Sequence, residues 1–138
     1  MTIKDLLQLA VDQNASDLHL VAGVAPMLRI HGELSPVPFD QNLTHEIIAT
    51  LLKEVMSAEQ IERLTVNKEI DFSIAFSEKA RFRVNAYTQK DTWSAAFRVI
   101  PSKIPTIDEL WLPQFIHNFP TLRQGFVLVT GPTGQGKS

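Results

Sequence analysis

Cysteine is absent from the 138 residues. That excludes a disulfide framework, a zinc ribbon and a cysteine nucleophile, and it permits a reducing compartment without requiring one. Long apolar runs are missing too, since no stretch approaches the ~18 residues that a membrane span needs. Met1-Thr2-Ile3-Lys4-Asp5 has neither the basic run nor the apolar core of a secretory leader. The expected location is therefore the cytoplasm. A large excess of one charge sign is also lacking, because 13 Lys and Arg stand against 15 Asp and Glu for a net charge of −2. The simplest case for a nucleic-acid binder working by bulk charge falls away, and no nucleic-acid partner is expected. There is no internal repeat and no low-complexity segment. What remains is 44% hydrophobic and 20% charged, the profile of an ordinary globular protein, long enough for about one domain of ~150 residues.

The small net charge hides a gradient. Residues 1–78 carry 5 basic and 12 acidic side chains, residues 79–103 carry 6 basic and 1 acidic, and residues 104–138 carry 2 of each. A short basic block inside a mildly acidic chain marks a local site for an anion more readily than a general polyanion surface.

Periodicity sets out the elements. Thr2 can cap a first helix on which Ile3, Leu6, Leu7, Ala10 and Val11 recur at three- and four-residue steps. Asp17 to Leu20 alternates like a half-buried strand, and a short hairpin turns at Gly32. Thr44 can cap a second helix, and Ser57-Ala58-Glu59-Gln60 is a capping box for a third. Ile70, Phe72, Ile74 and Phe76 then alternate with polar residues, as do Phe82, Val84 and Ala86 and next Trp93, Ala95, Phe97 and Val99. These three runs predict an antiparallel meander. Pro101 and Pro105 interrupt the pattern, and a second capping box, Thr106 to Glu109, opens a brief helical turn, with another turn expected over 113–119. Gly125 to Thr130 is continuously apolar, as is a strand buried on both faces, so a new domain is expected to begin near residue 120.

That run leads into Gly131-Pro132-Thr133-Gly134-Gln135-Gly136-Lys137-Ser138, which fits the phosphate-loop pattern G-x-x-x-x-G-K-[ST] residue for residue. The glycines let backbone N–H groups wrap a polyphosphate, Lys137 reaches the β and γ phosphates, and Ser138 ligates magnesium. ATP and Mg2+ are the implied cofactors. The helix and the acidic strand end that would complete such a site do not follow within the 138 residues, so the sequence reads as the N-terminal part of a longer ATPase, inactive alone. The last ten or so residues are accordingly expected to be poorly ordered or held in a non-native conformation, because an isolated parallel strand has no partners for its backbone.

The basic block supplies a second candidate. Placing Phe82, Val84 and Ala86 opposite Phe97, Ala95 and Trp93 keeps the apolar side chains on one face and requires a two-residue turn at Gln89-Lys90. Arg81 then lies opposite Arg98, with Arg83 on the same face. Like charges in register cost a sheet up to ~1 kcal/mol, so two readings stand side by side: an arginine face for a phosphate, or a solvated face neutralised by nearby Asp or Glu. His19, His31, His45 and His117 show no metal-ligand spacing. Asp17 and His19 share a strand face and read as a structural polar contact.

Taken in order, Ser16-Asp17-Leu18-His19-Leu20, Gly32-Glu33-Leu34, Asp71-Phe72-Ser73, Arg81-Phe82-Arg83-Val84-Asn85, Phe97-Arg98, Ile104-Pro105-Thr106-Ile107-Asp108-Glu109-Leu110 and Val127 to Ser138 resemble the twitching-motility ATPases that retract type IV pili. These belong to the larger type II and type IV secretion ATPase group. The resemblance implies an α/β protein of the α+β kind, with a PAS-like N-terminal domain over 1–100, a linker over 101–119 and the start of a RecA-like domain over 120–138. It also implies a homo-hexameric ring working beside the pilus inner-membrane platform, peripheral to the cytoplasmic membrane. ATP would bind between the two domains. By position it assigns Arg81, Arg83 and Arg98 to the phosphate of bound nucleotide, beside the loop residues 131–138. Gln135 stands where a serine is common in that family. The lack of a further domain before Thr2 is expected to favour retraction over an assembly or secretion ATPase, and a PAS-like ligand- or protein-binding module is the alternative from a different class.

Overall fold

The computed structural model describes residues 1–78, 80–102 and 105–131. The chain folds as two compact units, 1–102 and 103–138.

In the first unit the order is α1 (Ile3–Asp12), β1 (Asp17–Leu20), β2 (Met27–Ile30), β3 (Glu33–Pro36), α2 (His45–Lys53), α3 (Ala58–Asn67), β4 (Glu69–Ala75), β5 (Ala80–Gln89) and β6 (Thr92–Pro101). The helices begin where the capping residues predict. Thr2 Oγ1 accepts from Asp5 N at 3.3 Å while the Asp5 carboxylate accepts from Thr2 N at 2.7 Å. Ser57 and Gln60 make the same reciprocal pair at 3.2 and 2.9 Å, and Thr44 caps α2. Each such cap satisfies orphan N–H groups and is worth about 1 kcal/mol. Glu54, just past α2, accepts from Ile3 N at 3.3 Å and so places a carboxylate at the positive end of α1.

All six strands form one antiparallel sheet in the order β3-β2-β1-β6-β5-β4. The expected meander is its β4-β5-β6 half, and β1 joins the hairpin β2-β3 to it by pairing with β6. Helices cover one face: α1 packs on β1, α2 on β6, and α3 on β4 and β5. Between the layers lie Leu6, Leu7, Leu18, Ile48, Leu52, Leu64, Phe82 and Phe97, all fully buried. A buried phenylalanine contributes up to ~3 kcal/mol, so the two aromatic side chains anchor the central strands. The opposite face of the sheet is polar.

The β5-β6 register differs from the one expected. Phe82 pairs with Val99, Val84 with Phe97 and Ala86 with Ala95, and Arg83, not Arg81, stands opposite Arg98. Arg81 faces Ile100. The turn is Lys90-Asp91, with φ of 48° and 60°. Two consecutive left-handed residues give a hairpin the twist its strands require, and Asp tolerates that conformation better than Gln does.

In the second unit the Thr106 box forms: Glu109 N donates to Thr106 Oγ1 at 3.2 Å and Thr106 N donates to the Glu109 carboxylate at 2.9 Å. The turn over 113–119 is present as a 3-10 helix, Gln114–Thr121. Residues 126–130, expected as a buried strand, pair with no strand among the described residues, and Phe126, Leu128 and Val129 are exposed. A doubly buried strand needs neighbours on both edges, and the described chain supplies none. Among the described residues no helix is long and apolar enough to cross a membrane.

Candidate functional site

The polar face of the sheet gathers the basic block. Because side chains alternate, Arg81, Arg83 and Asn85 of β5 point the same way as Arg98 of β6, Asp71 and Ser73 of β4, Asp17 and His19 of β1 and Arg29 of β2. One transverse row reads Ser73, Arg83, Arg98, Asp17, Arg29 across five strands. Over it lies a groove of about 310 Å³ lined by Asp17, Asp71, Arg83, Asn85, Ala96 and Arg98.

Each arginine is held differently. Arg98 Nε donates to Asp17 Oδ1 at 2.9 Å, although the arginine side chain is 72% exposed and the aspartate only 8%. Arg83 Nε lies 3.7 Å from Asp71 Oδ1, with both groups more than half exposed, so that ion pair is worth a fraction of a kcal/mol. Arg81 has no ion pair among the described residues. Two of the three arginines therefore meet acidic partners, as a neutralised face requires, while the terminal amino groups of Arg98 take no acceptor among the described residues.

Asp17 is the most elaborately bonded group on the face. Its Oδ2 accepts from Ser16 Oγ at 2.9 Å and lies 3.7 Å from Arg29 Nε, while Arg29 Nη1 donates to Gly32 O at 2.9 Å. Burial acts to raise its carboxyl. The hydrogen bonds from Arg98 and Ser16, with the Arg98 charge, outweigh burial and hold it below the ordinary carboxylate value of 3.8. His19 is lowered from 6.5, first by burial and then by Arg29 and Arg98, against the opposing charge of Asp17. Its Nε2 is buried without a hydrogen-bond partner among the described residues. The other histidines are scattered: His45 Nδ1 accepts from Trp93 N at 3.2 Å, His31 sits in the hairpin turn at φ 50°, and His117 contacts Asp108 at 3.1 Å.

Sequence reasoning brought Arg83 and Arg98 to one place but missed the weight of Asp17. Its signal was a carboxylate at the start of an alternating strand, two residues from a histidine. Of the phosphate-loop residues only Gly131 is described, and it is exposed. Pro132, Thr133, Gly134, Gln135, Gly136, Lys137 and Ser138 lie outside the described residues.

No family model matches the chain. Over all 138 residues it is 41% identical to the type IV pilus retraction ATPase PilT of Pseudomonas aeruginosa. The chain spans 40% of the length of that relative, matching the N-terminal part. The likeness extends to the pilus ATPase PilU of the same organism, 34% identical over 141 residues, and to a twitching motility protein of Neisseria gonorrhoeae, 35% identical over 137 residues. A crystal structure of the pilus retraction motor PilT with bound ADP superposes on the chain with a TM-score of 0.79 and 35% identity, over 99% of this chain and 40% of that one. The ATPase DotB of Legionella pneumophila gives 0.80 at 25% identity with the same coverage. The mixed sheet-and-helix architecture is thus that of the N-terminal domain of PilT-like ATPases.

Proposed function

We propose that this chain is the N-terminal part of a hexameric ATPase motor that powers type IV pilus retraction. The observation that carries the reading is the 41% identity to PilT along the whole chain. The match to a PilT structure with ADP bound supports nucleotide binding by the parent protein. In this reading residues 1–100 form the arginine-bearing domain, 101–119 link it to the motor, and 120–138 open the RecA-like domain. Residues 131–138 would cradle the phosphates, with Lys137 on the β and γ phosphates and Ser138 on Mg2+. The bound metal would neutralise developing phosphate charge. Arg81, Arg83 and Arg98 would meet the terminal phosphate from the sheet side, because guanidinium binds phosphate by two parallel hydrogen bonds. The ring would work at the inner face of the cytoplasmic membrane, against the pilus platform.

ATP turnover by the full-length protein that carries this chain tests the reading. Arg81→Ala, Arg83→Ala and Arg98→Ala are compared with the parent and with Lys137→Ala. Replacing an arginine that acts on the terminal phosphate is expected to lower turnover by roughly a thousandfold without unfolding the domain. Turnover unchanged in all three arginine variants would remove these side chains from the site.

A further inference from the structure

We infer that Asp17 is a positioning residue for Arg98, a role that rests on the nucleotide reading above and extends it to a second strand. Asp17 belongs to β1 and Arg98 to β6, 81 residues apart in sequence, and their contact runs along the paired register Asp17↔Arg98. The aspartate takes the Nε–H of the arginine, at 2.9 Å. A carboxylate that gripped both terminal amino groups would compete with a phosphate for the bidentate edge. One that takes Nε leaves that edge free and fixes the plane of the guanidinium. The carboxylate is itself fixed: Ser16 Oγ donates to its other oxygen at 2.9 Å, and Arg29 flanks it at 3.7 Å.

The exposures make the asymmetry chemical. A side chain as open as Arg98 samples many rotamers when nothing holds its stem, and an aspartate 8% exposed does not move with it. Holding a charged donor in place ahead of the reaction is how a site lowers its reorganisation cost. Arg83, by contrast, has among the described residues only the long contact to Asp71, with both groups more than half exposed.

The test is a double-mutant cycle on ATP turnover in the full-length protein. Asp17→Asn keeps the shape and removes the charge, and it is expected to lower kcat about tenfold with KM for ATP within about twofold, since a guanidinium misplaced by an ångström costs up to ~100-fold. In an Arg98→Gln background Asp17→Asn is expected to lower kcat no further, because Asp17 acts through Arg98. Thermal stability, by contrast, would fall in both backgrounds. If Asp17→Asn does not fold, Ser16→Ala replaces it in the same cycle, with an expected fall of a few fold. An unchanged kcat for the folded variant, or the same fall in both backgrounds, overturns the positioning role and leaves the nucleotide reading standing. Wild-type turnover in Arg98→Gln overturns the positioning role and removes Arg98 from the phosphate site, while the nucleotide reading is judged by the Lys137 variant.

Discussion

Acidification is the cleanest probe of the Asp17 cluster, because its effect on stability has a defined sign and a built-in control. Asp17→Asn removes a carboxylate that accepts from Arg98 and Ser16 at 2.9 Å each and flanks Arg29 at 3.7 Å. A hydrogen bond to a charged group contributes about 1.5–3 kcal/mol. Arg98 is open to water, which recovers part of that loss, so the expected cost is about 2 kcal/mol at pH 7. For a unit of this size that is a fall in Tm of about 10 °C. The folded pKa of Asp17 lies below its unfolded value, so the unfolded state binds the proton more readily. The stabilisation is fully present above about pH 5, declines as pH falls through the unfolded value near 3.8, and is lost below the folded pKa. Melting curves of parent and Asp17→Asn should therefore lie about 10 °C apart at pH 7 and draw together as pH falls below 3.8. Equal stability at pH 7, or a gap that does not narrow below pH 3.8, would refute an ionised, structurally bonded Asp17.

His19 adds a second loss of stability on acidification, in a higher pH range. Its folded pKa is lowered, so the chain is expected to lose stability as pH drops below about 6.5, and His19→Gln should flatten that part of the curve in calorimetry at pH 7 and 5.5. Phe97→Ala, which opens a cavity at a fully buried site on the central strand, is expected to cost about 3–5 kcal/mol by urea unfolding. Asp91→Gly should raise stability by about 0.5–1 kcal/mol in the same assay, because Asp91 sits at φ 60°, where glycine has no Cβ to strain.

Helix starts were legible because capping is local chemistry: Thr2, Thr44 and Ser57 each declare themselves within four residues. The faces of β5 and β6 were legible for a related reason, since alternation fixes which side chains share a side. It does not fix the register. Sliding one strand by two residues keeps Phe82, Val84 and Phe97 inside, so the apolar pattern cannot choose between Arg81 and Arg83 as the partner of Arg98. The turn chooses, and Lys90-Asp91 wins over Gln89-Lys90 because two successive left-handed residues are required there. The β1-β6 pairing was beyond local pattern altogether, and with it the Asp17 cluster, since residues 81 apart meet only once the sheet is assembled. The apolar run 126–130 shows the converse: its composition is that of a buried strand, yet without neighbours among the described residues it pairs with none.

The three arginines form a graded series, and the gradation bears on how an anion would be met. Arg98 is fixed by a buried carboxylate, Arg83 is loosely tied to an exposed one, and Arg81 has no ion pair among the described residues. Arg83 and Arg98 stand directly opposite, an arrangement that costs a sheet up to ~1 kcal/mol when the charges are bare. Asp17 and Asp71 flank the pair and lower that cost, which lets two guanidinium groups share one groove in the absence of any ligand. An arriving phosphate would displace the weak Asp71 contact more readily than the Asp17 contact, because the first is 3.7 Å long and exposed on both sides and the second is 2.9 Å and made to a buried carboxylate. Arg81→Lys is then the substitution best tolerated for folding, Arg83→Lys the next and Arg98→Lys the worst, since lysine cannot replace the Nε–H that Arg98 gives to Asp17 at 2.9 Å.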